Sequence, residues 1–228
     1  MMILKIPLFY KVFFFDIFIC LYYNTYMVYF KDFPEFKPNL TPQQIFALGS
    51  FGGSYWRPIY SSITKKSYKY KHKEFKWLRT LPKHKISNVL CENSVNNYKV
   101  RVGTSLRFWE DKGWIHPRDP YGWVQWYCRF YDGRRSDDDE RQIDRWLKLT
   151  GPKGRFRKWL ITLIHKKKGY WNDHDISPKI RQTLQHWGYR LTKKDYEKDI
   201  SLRKRKNELS KSKKTSKKKY NRKNKPKK

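Results

Sequence analysis

Between residues 136 and 188, apolar side chains recur at helical spacing in three successive runs. Ile143, Trp146 and Leu147 share a face of the first. Phe156, Trp159, Leu160, Leu163 and Ile164 share one in the second, and Ile180, Leu184 and Trp187 in the third. Local signals bound each run. Ser136 stands as an N-cap before Asp137, Asp138, Asp139 and Glu140, acids that complement the positive end of a helix dipole, and Gly151-Pro152 ends that helix. Gly169 stops the second run. Ser177-Pro178 opens the third, and Gly188 follows it in the position that favours a left-handed residue. Thr192 with Asp195 marks the start of a further, fraying helix. Short connections between these runs predict an α-helical array, with Trp146, Trp159 and Trp187 in its core.

The pattern upstream is less regular. Thr41-Pro42 reads as an N-cap with a proline at N1, leading into QQIFALGSF with Gly49 near its end. Thr104-Ser105 precedes LRFWEDK, with Gly113 and Trp114 at the two positions beyond that helix. Asp119-Pro120-Tyr121-Gly122 is a strong turn signal. The segment after it, WVQWYCRFY, fits helical spacing through Trp123, Trp126, Tyr127 and Phe130. It fits strand alternation equally well through Val124, Trp126, Cys128 and Phe130. Residues 64–85 alternate lysines with Tyr68, Tyr70, Phe75, Trp77 and Leu78, as a strand or a loop would. No internal repeat is present. The fold class expected is mainly α: a small single-domain helical array in the C-terminal half, an irregular or α+β N-terminal part, and a disordered basic tail.

The ends bound a domain at residues 33–192. Residues 6–30 are apolar and aromatic, but Lys11 and Asp16 interrupt them, and a charge at a bilayer centre costs about 2.5–3.5 kcal/mol on insertion scales. The reading preferred for residues 1–26 is upstream sequence ahead of a start at Met27, with a membrane anchor as the alternative. Residues 1–32 are therefore set aside as an extension. At the other end, residues 193–228 are Lys/Arg-rich, and from Arg203 onward no apolar face is present to bury, so a disordered tail is expected.

Charge changes this picture more than size does. The 228 residues hold 53 Lys+Arg against 20 Asp+Glu, a formal net charge of +33. Residues 203–228 contain 15 of those bases and one acid, Glu208, so the rest keeps a large excess of its own. A body that is basic apart from its tail implies a polyanionic partner, DNA or RNA. The opposing reading is the lysine bias of an AT-rich genome. Ten tryptophans, 17 tyrosines and 14 phenylalanines supply the core that an overall hydrophobic content of 38% leaves thin. Cys20, Cys91 and Cys128 are too few and scattered for a disulfide framework, which points to a reducing, intracellular compartment.

The run GWIHPRDPYGWVQWYCRFYDGRRSDDDERQIDRW, residues 113–146, resembles the signature of an uncharacterised protein family whose members occur in large DNA viruses and some cellular organisms. Residues 48–59, 151–156 and 181–189 fit the same pattern, so the resemblance covers roughly residues 33–192. It implies no catalytic residues, since no activity is established for that family.

Candidate chemistry divides into acidic clusters and cationic surfaces. Arg134, Arg135, Asp137, Asp138, Asp139, Glu140 and Arg141 would suit a divalent-metal and phosphate site. Four adjacent acids spread around a helix turn, however, and the bland reading is a capped helix start. Glu110-Asp111-Lys112 has the acid-x-Lys form of many nucleases but no second acidic element. Asn172, Asp173, His174 and Asp175 read as a helix-linking loop, and Cys128 as a small core residue that His116 does not activate. No metal, cofactor or small-molecule substrate is expected. The better candidate is cation interleaved with aromatic, where bases stack and phosphates are neutralised. On that ground the nucleic-acid-binding residues expected are Arg57, Lys69, Lys71, Lys73, Lys76, Arg155, Arg157, Lys158, Lys166, Lys167, Arg203, Lys204, Arg205 and Lys206. Trp56, Tyr68, Tyr70 and Trp77 are left open between core and surface. The functional reading is a non-enzymatic, nucleic-acid-associated basic protein. Its alternatives are an enzyme on nucleic acid or phosphorylated substrates using residues 134–141, and a membrane-anchored protein if residues 1–26 are made.

Overall fold

Thr41 starts the first helix as its side chain dictates. In the computed structural model, which describes residues 28–223, its hydroxyl accepts from Gln44 N while Gln44 Oε1 accepts from Thr41 N, capping α1 (Pro42–Ala47). The chain then bends through Ser50–Gly53 with positive φ at Gly49, Phe51, Gly52 and Gly53. Glycine is required at three of these, most tightly where an added Cβ would lie 1.7 Å from Val95 O at Gly49 and 1.9 Å from His84 O at Gly53.

Residues 59–85 form neither one long strand nor one loop. A short antiparallel hairpin pairs β1 (Ile59–Ser61) with β2 (Lys66–Tyr68), Ile59 opposite Tyr68. Three 3-10 turns follow at Lys71–Glu74, Lys76–Thr80 and Lys83–Lys85, anchored inward by Phe75 and Leu78. The N-terminal part is thus irregular, and the fold as a whole is mainly α.

Seven α-helices are present among the described residues. Ser105 caps α2 (Leu106–Asp111), and Gly113 N and Trp114 N close its end on Glu110 O and Trp109 O. The Asp119–Gly122 turn delivers the chain into α3 (Trp123–Tyr131). The segment whose periodicity fitted two structures is therefore helix, and burial explains why it shows no single face. Trp123, Val124, Gln125, Trp126, Tyr127, Cys128 and Phe130 are all buried, as expected of a helix enclosed on several sides. Phe36 packs edge-on against Tyr127, Phe130 and Trp146 at 5.2–5.6 Å, joining α3 to the N-terminal segment and to α4 (Asp139–Leu149). The last three helices are α5 (Arg155–Lys166), α6 (Pro178–His186) and α7 (Lys193–Lys223).

Two cores result. One gathers Phe30 to Trp146 around α3; the other joins α5, α6 and the start of α7 through Leu160, Ile161, Ile164, Ile180, Leu184, Tyr189 and Leu191. Helix α6 links them with a buried polar side. Gln182 Oε1 accepts from Tyr98 N, Gln185 Nε2 donates to Ser50 Oγ, and His186 Nε2 accepts from Phe51 N. Phe51 N and Tyr98 N lie outside any ladder, and His186 and Gln182 supply the acceptors for them.

Several expectations are corrected. Ser136 does not cap α4 as an acceptor; its N and Oγ both donate to the Asp139 carboxylate. Ser177 has a left-handed backbone and makes no side-chain cap, although Pro178 holds N1 as expected. Helix α5 does end ahead of Gly169, with Lys168 taking the positive φ. Trp159 is 54% exposed, because the buried face of α5 runs through Arg157, Leu160, Ile161 and Ile164, rotated from the face drawn through Phe156 and Trp159. Trp187 is half-buried and packs on the first core. The domain also reaches beyond both expected boundaries. Phe30 lies in the first core, stacked 5.3 Å from Phe36, and Arg135 binds Asp32. Residue 193 begins not a disordered tail but α7, whose Thr192 cap receives Asp195 N and whose Tyr196, Asp199 and Ile200 dock on the second core. The expected start at Met27, the alternative membrane anchor and the apolar run before residue 28 lie outside the described residues.

Candidate nucleic-acid interface

The acidic clusters are occupied by their own neighbours. Asp139 accepts from Trp126 Nε1 at 2.8 Å as well as from Ser136. Asp138 accepts from Arg141 and from Gln142 Nε2; burial pushes its carboxyl up, and these hydrogen bonds outweigh that, holding it below its ordinary range. Arg134 and Arg129 both bind the buried Asp119, Arg135 binds Asp32, and Arg118 binds Asp137. The cluster at 134–141 therefore fastens α4 to its surroundings, and no group of three His, Cys, Asp or Glu poised for a metal occurs among the described residues.

The remaining chemistry candidates are likewise internal. Glu110 is buried and accepts from Ser61 Oγ, Ser62 N and Ser62 Oγ, tying α2 to the hairpin. The loop 172–175 is held by Arg181, which donates to Ile176 O and Trp171 O. His174 within it is lowered by burial, with Arg181 and Arg190 adding to the effect. Cys128 is fully buried, and burial raises its thiol well above the ordinary value, away from nucleophilic use.

The expected binding cations separate into three kinds. Lys69, Lys73, Lys76, Lys166, Lys167, Lys204, Arg205 and Lys206 are exposed and make none of the ion pairs formed among the described residues. Lys73 sits 4.9 Å over the ring of Tyr70, itself 64% exposed. Lys71 is half-buried between Glu74 and the Tyr68 ring. Arg157, Lys158 and Arg203 are corrected: they hold the fold together. Arg157 is buried on Asp195 at 2.5 Å and over Tyr189, while Lys158 and Arg203 together clasp Asp199. Arg157 and Lys158 looked free in sequence because their acids stand on α7, whereas Arg203 pairs with Asp199 one turn back on its own helix. Of the four aromatics left open, Trp56 is core and Tyr70 is surface. Trp77 and Tyr68 are intermediate, Trp77 donating to the Asp132 carboxylate.

Arg155 and Arg57 belong to a feature that no local pattern marked. A cavity of about 500 Å³ is walled by Trp109, Trp114, Trp123 and Trp187, with Phe108 and Phe156. Its charged lining residues are Arg145, Lys148 and Arg155, and no acid lines it. A neighbouring cavity of about 310 Å³ shares Phe51, Tyr55, Trp109, Tyr121 and residues 102–104 with the first, and adds Arg57 and Arg101. Arg145 has a special setting. Its guanidinium lies 5.8 Å from the Trp114 ring and 5.5 Å from the Trp187 ring, with Nη1 donating to Gln142 Oε1 and Trp114 O. No carboxylate pairs with it. Burial, with the charge of Arg141 adding and that of Asp138 opposing, pulls it down to about 10. Sequence reasoning passed over Arg145, yet a signal was there: its helical neighbours at three and four residues are Arg141, Gln142, Lys148 and Leu149, none of them acidic.

His186 forms part of the same wall. Its Nε2 accepts from Phe51 N at 3.1 Å and faces Gln182 Nε2 at 3.0 Å, so the ring is neutral with its proton on Nδ1. Burial lowers it to about 3.

No helix among the described residues is long and apolar enough to cross a membrane. No family model matches this chain, and neither does any curated protein or solved structure.

Proposed function

We propose that this protein binds nucleic acid through its cationic surface and performs no chemistry on it. The observation that carries the reading is how the charges are divided. Asp119, Asp138, Asp139, Asp199 and Glu110, the buried carboxylates, are bound within the fold, while Lys69, Lys73, Lys76, Lys166, Lys167, Lys204, Arg205 and Lys206 are exposed and stand outside the ion pairs formed among the described residues. Such a surface attracts phosphates and releases their counter-ions. Exposed aromatics among these cations, Tyr70 beside Lys73 and Trp159 on α5, offer faces for unpaired bases and favour single strands.

The test is binding of the full chain to a labelled single strand and to a duplex across a salt series. Contact with about six phosphates on a single strand gives a log–log slope of about −4. Truncation after Glu208 removes 11 bases and leaves Arg203 on Asp199. It should flatten the slope, and Lys69, Lys73 and Lys76 changed together to Gln should flatten it further. Absence of binding by the full chain at low salt, or a slope that neither change alters, overturns the reading.

A further inference from the structure

We infer that the tryptophan-walled cavity beside Arg145 takes a single nucleotide, its base against the indoles and its phosphate on Arg145 and Arg155. Where that nucleotide belongs to a strand the inference rests on the proposed nucleic-acid reading; where it is free it does not.

The ligand is defined by what the walls can satisfy. The volume falls within the range of small-molecule sites, about 300–1,000 Å³. Trp114 is 42% exposed and Phe108 39% exposed, packed edge-to-face 5.7 Å apart, so planar apolar surface faces solvent inside a concavity. A planar, apolar-faced group is the natural complement, and unstacked bases are recognised on such aromatic faces.

The charge on the ligand is set by Arg145 and Arg155. Arg145 is fixed between two indole rings, and its Nη1 is already engaged, which leaves Nε and Nη2 as a planar pair suited to two phosphate oxygens. Arg155 opens α5 over the Phe156 ring. The N-cap of that helix is Gly154, without a side chain to offer, and its first turn holds no acid, so its positive end is uncompensated beside the cavity. A divalent cation is excluded by a lining that is cationic and lacks carboxylates, and a neutral aromatic would leave both guanidiniums unpaired.

Nucleotide binding should quench the intrinsic tryptophan fluorescence of the full chain. We expect saturable quenching by adenosine monophosphate, with adenosine and ribose 5-phosphate each weaker by about tenfold or more. A short oligonucleotide run in parallel distinguishes a free nucleotide from one within a strand. Arg155→Met, at an exposed position, should weaken the response by about tenfold, and Arg145→Met should do so at least as strongly. The triple Lys69, Lys73, Lys76→Gln variant should leave mononucleotide binding unchanged. Salt-dependent strand binding that is indifferent to Arg145→Met and Arg155→Met overturns this inference and spares the proposed function. Mononucleotide binding without strand binding upholds the inference and overturns that function. No quenching by either ligand overturns the inference outright.

Discussion

Protonation of His186 should make this fold acid-sensitive in a window where its carboxylates are still ionised. The ring is buried, stacked on Phe51 at 3.9 Å, and its Nε2 already accepts from Phe51 N. In the folded chain it takes a proton only near about 3, against about 6.5 when unfolded. The unfolded state therefore binds more protons between those values, so stability is full above pH 6.5 and declines as pH falls toward 3. Each pH unit inside the window costs about 1.4 kcal/mol, and the loss from pH 7 to pH 5 is about 2 kcal/mol. Urea unfolding at the two pH values, for the native chain and for His186→Gln, measures it. The fixed cost of the substitution cancels, because only the change with pH is compared. His72 and His174, which are also lowered, act equally on both proteins. Asp138, Asp199, Glu74 and Asp32, held below their ordinary values, lose their contributions only as pH falls further. The native chain should lose about 2 kcal/mol more than the variant. Equal losses would refute both the neutral ring and the role of its Nε2 as acceptor.

Asp119→Asn should destabilise by about 3 kcal/mol in the same assay, since it uncouples Arg129 and Arg134 from a buried carboxylate while Arg129 keeps Glu74. Asp137→Asn, which breaks an exposed pair with Arg118, should stay within about 0.5 kcal/mol. Gly53→Ala should lower the melting temperature well beyond Gly113→Ala. Both have positive φ, which costs about 1–2 kcal/mol for alanine, but the added Cβ at Gly53 meets His84 O whereas that at Gly113 meets nothing within 4 Å.

Helix ends were legible in the sequence because capping is local. Thr41, Ser105, Gly113, Gly188 and Thr192 do what their neighbours imply, through contacts within a few residues along the chain. The helical array was readable for the same reason, but the setting of the 134–141 cluster was not, since Asp139 reaches Trp126 and the arginines reach Asp119 and Asp32. Decisions between distant segments were not. WVQWYCRFY became helix because Phe36, Trp146 and the N-terminal chain enclose it on several sides, which erases the one-sided pattern that periodicity needs. Arg157 and Lys158 looked like free surface charge until α7 brought Asp195 and Asp199 onto α5. Gln182, Gln185 and His186, polar residues on a short helix, are interior because the backbone opposite them has no other partners. The cavity depends most on tertiary structure. Its residues run from Phe51 to Trp187, and none is marked by its own neighbourhood except Arg145, whose missing acid could be counted along its helix. The sequence by itself determined a basic, aromatic-rich, mainly helical chain and most of its helix boundaries. Only tertiary packing decided which of its charges are buried in pairs between distant segments and which stay exposed, because those pairs depend on proximity in space that the order of residues along the chain does not show.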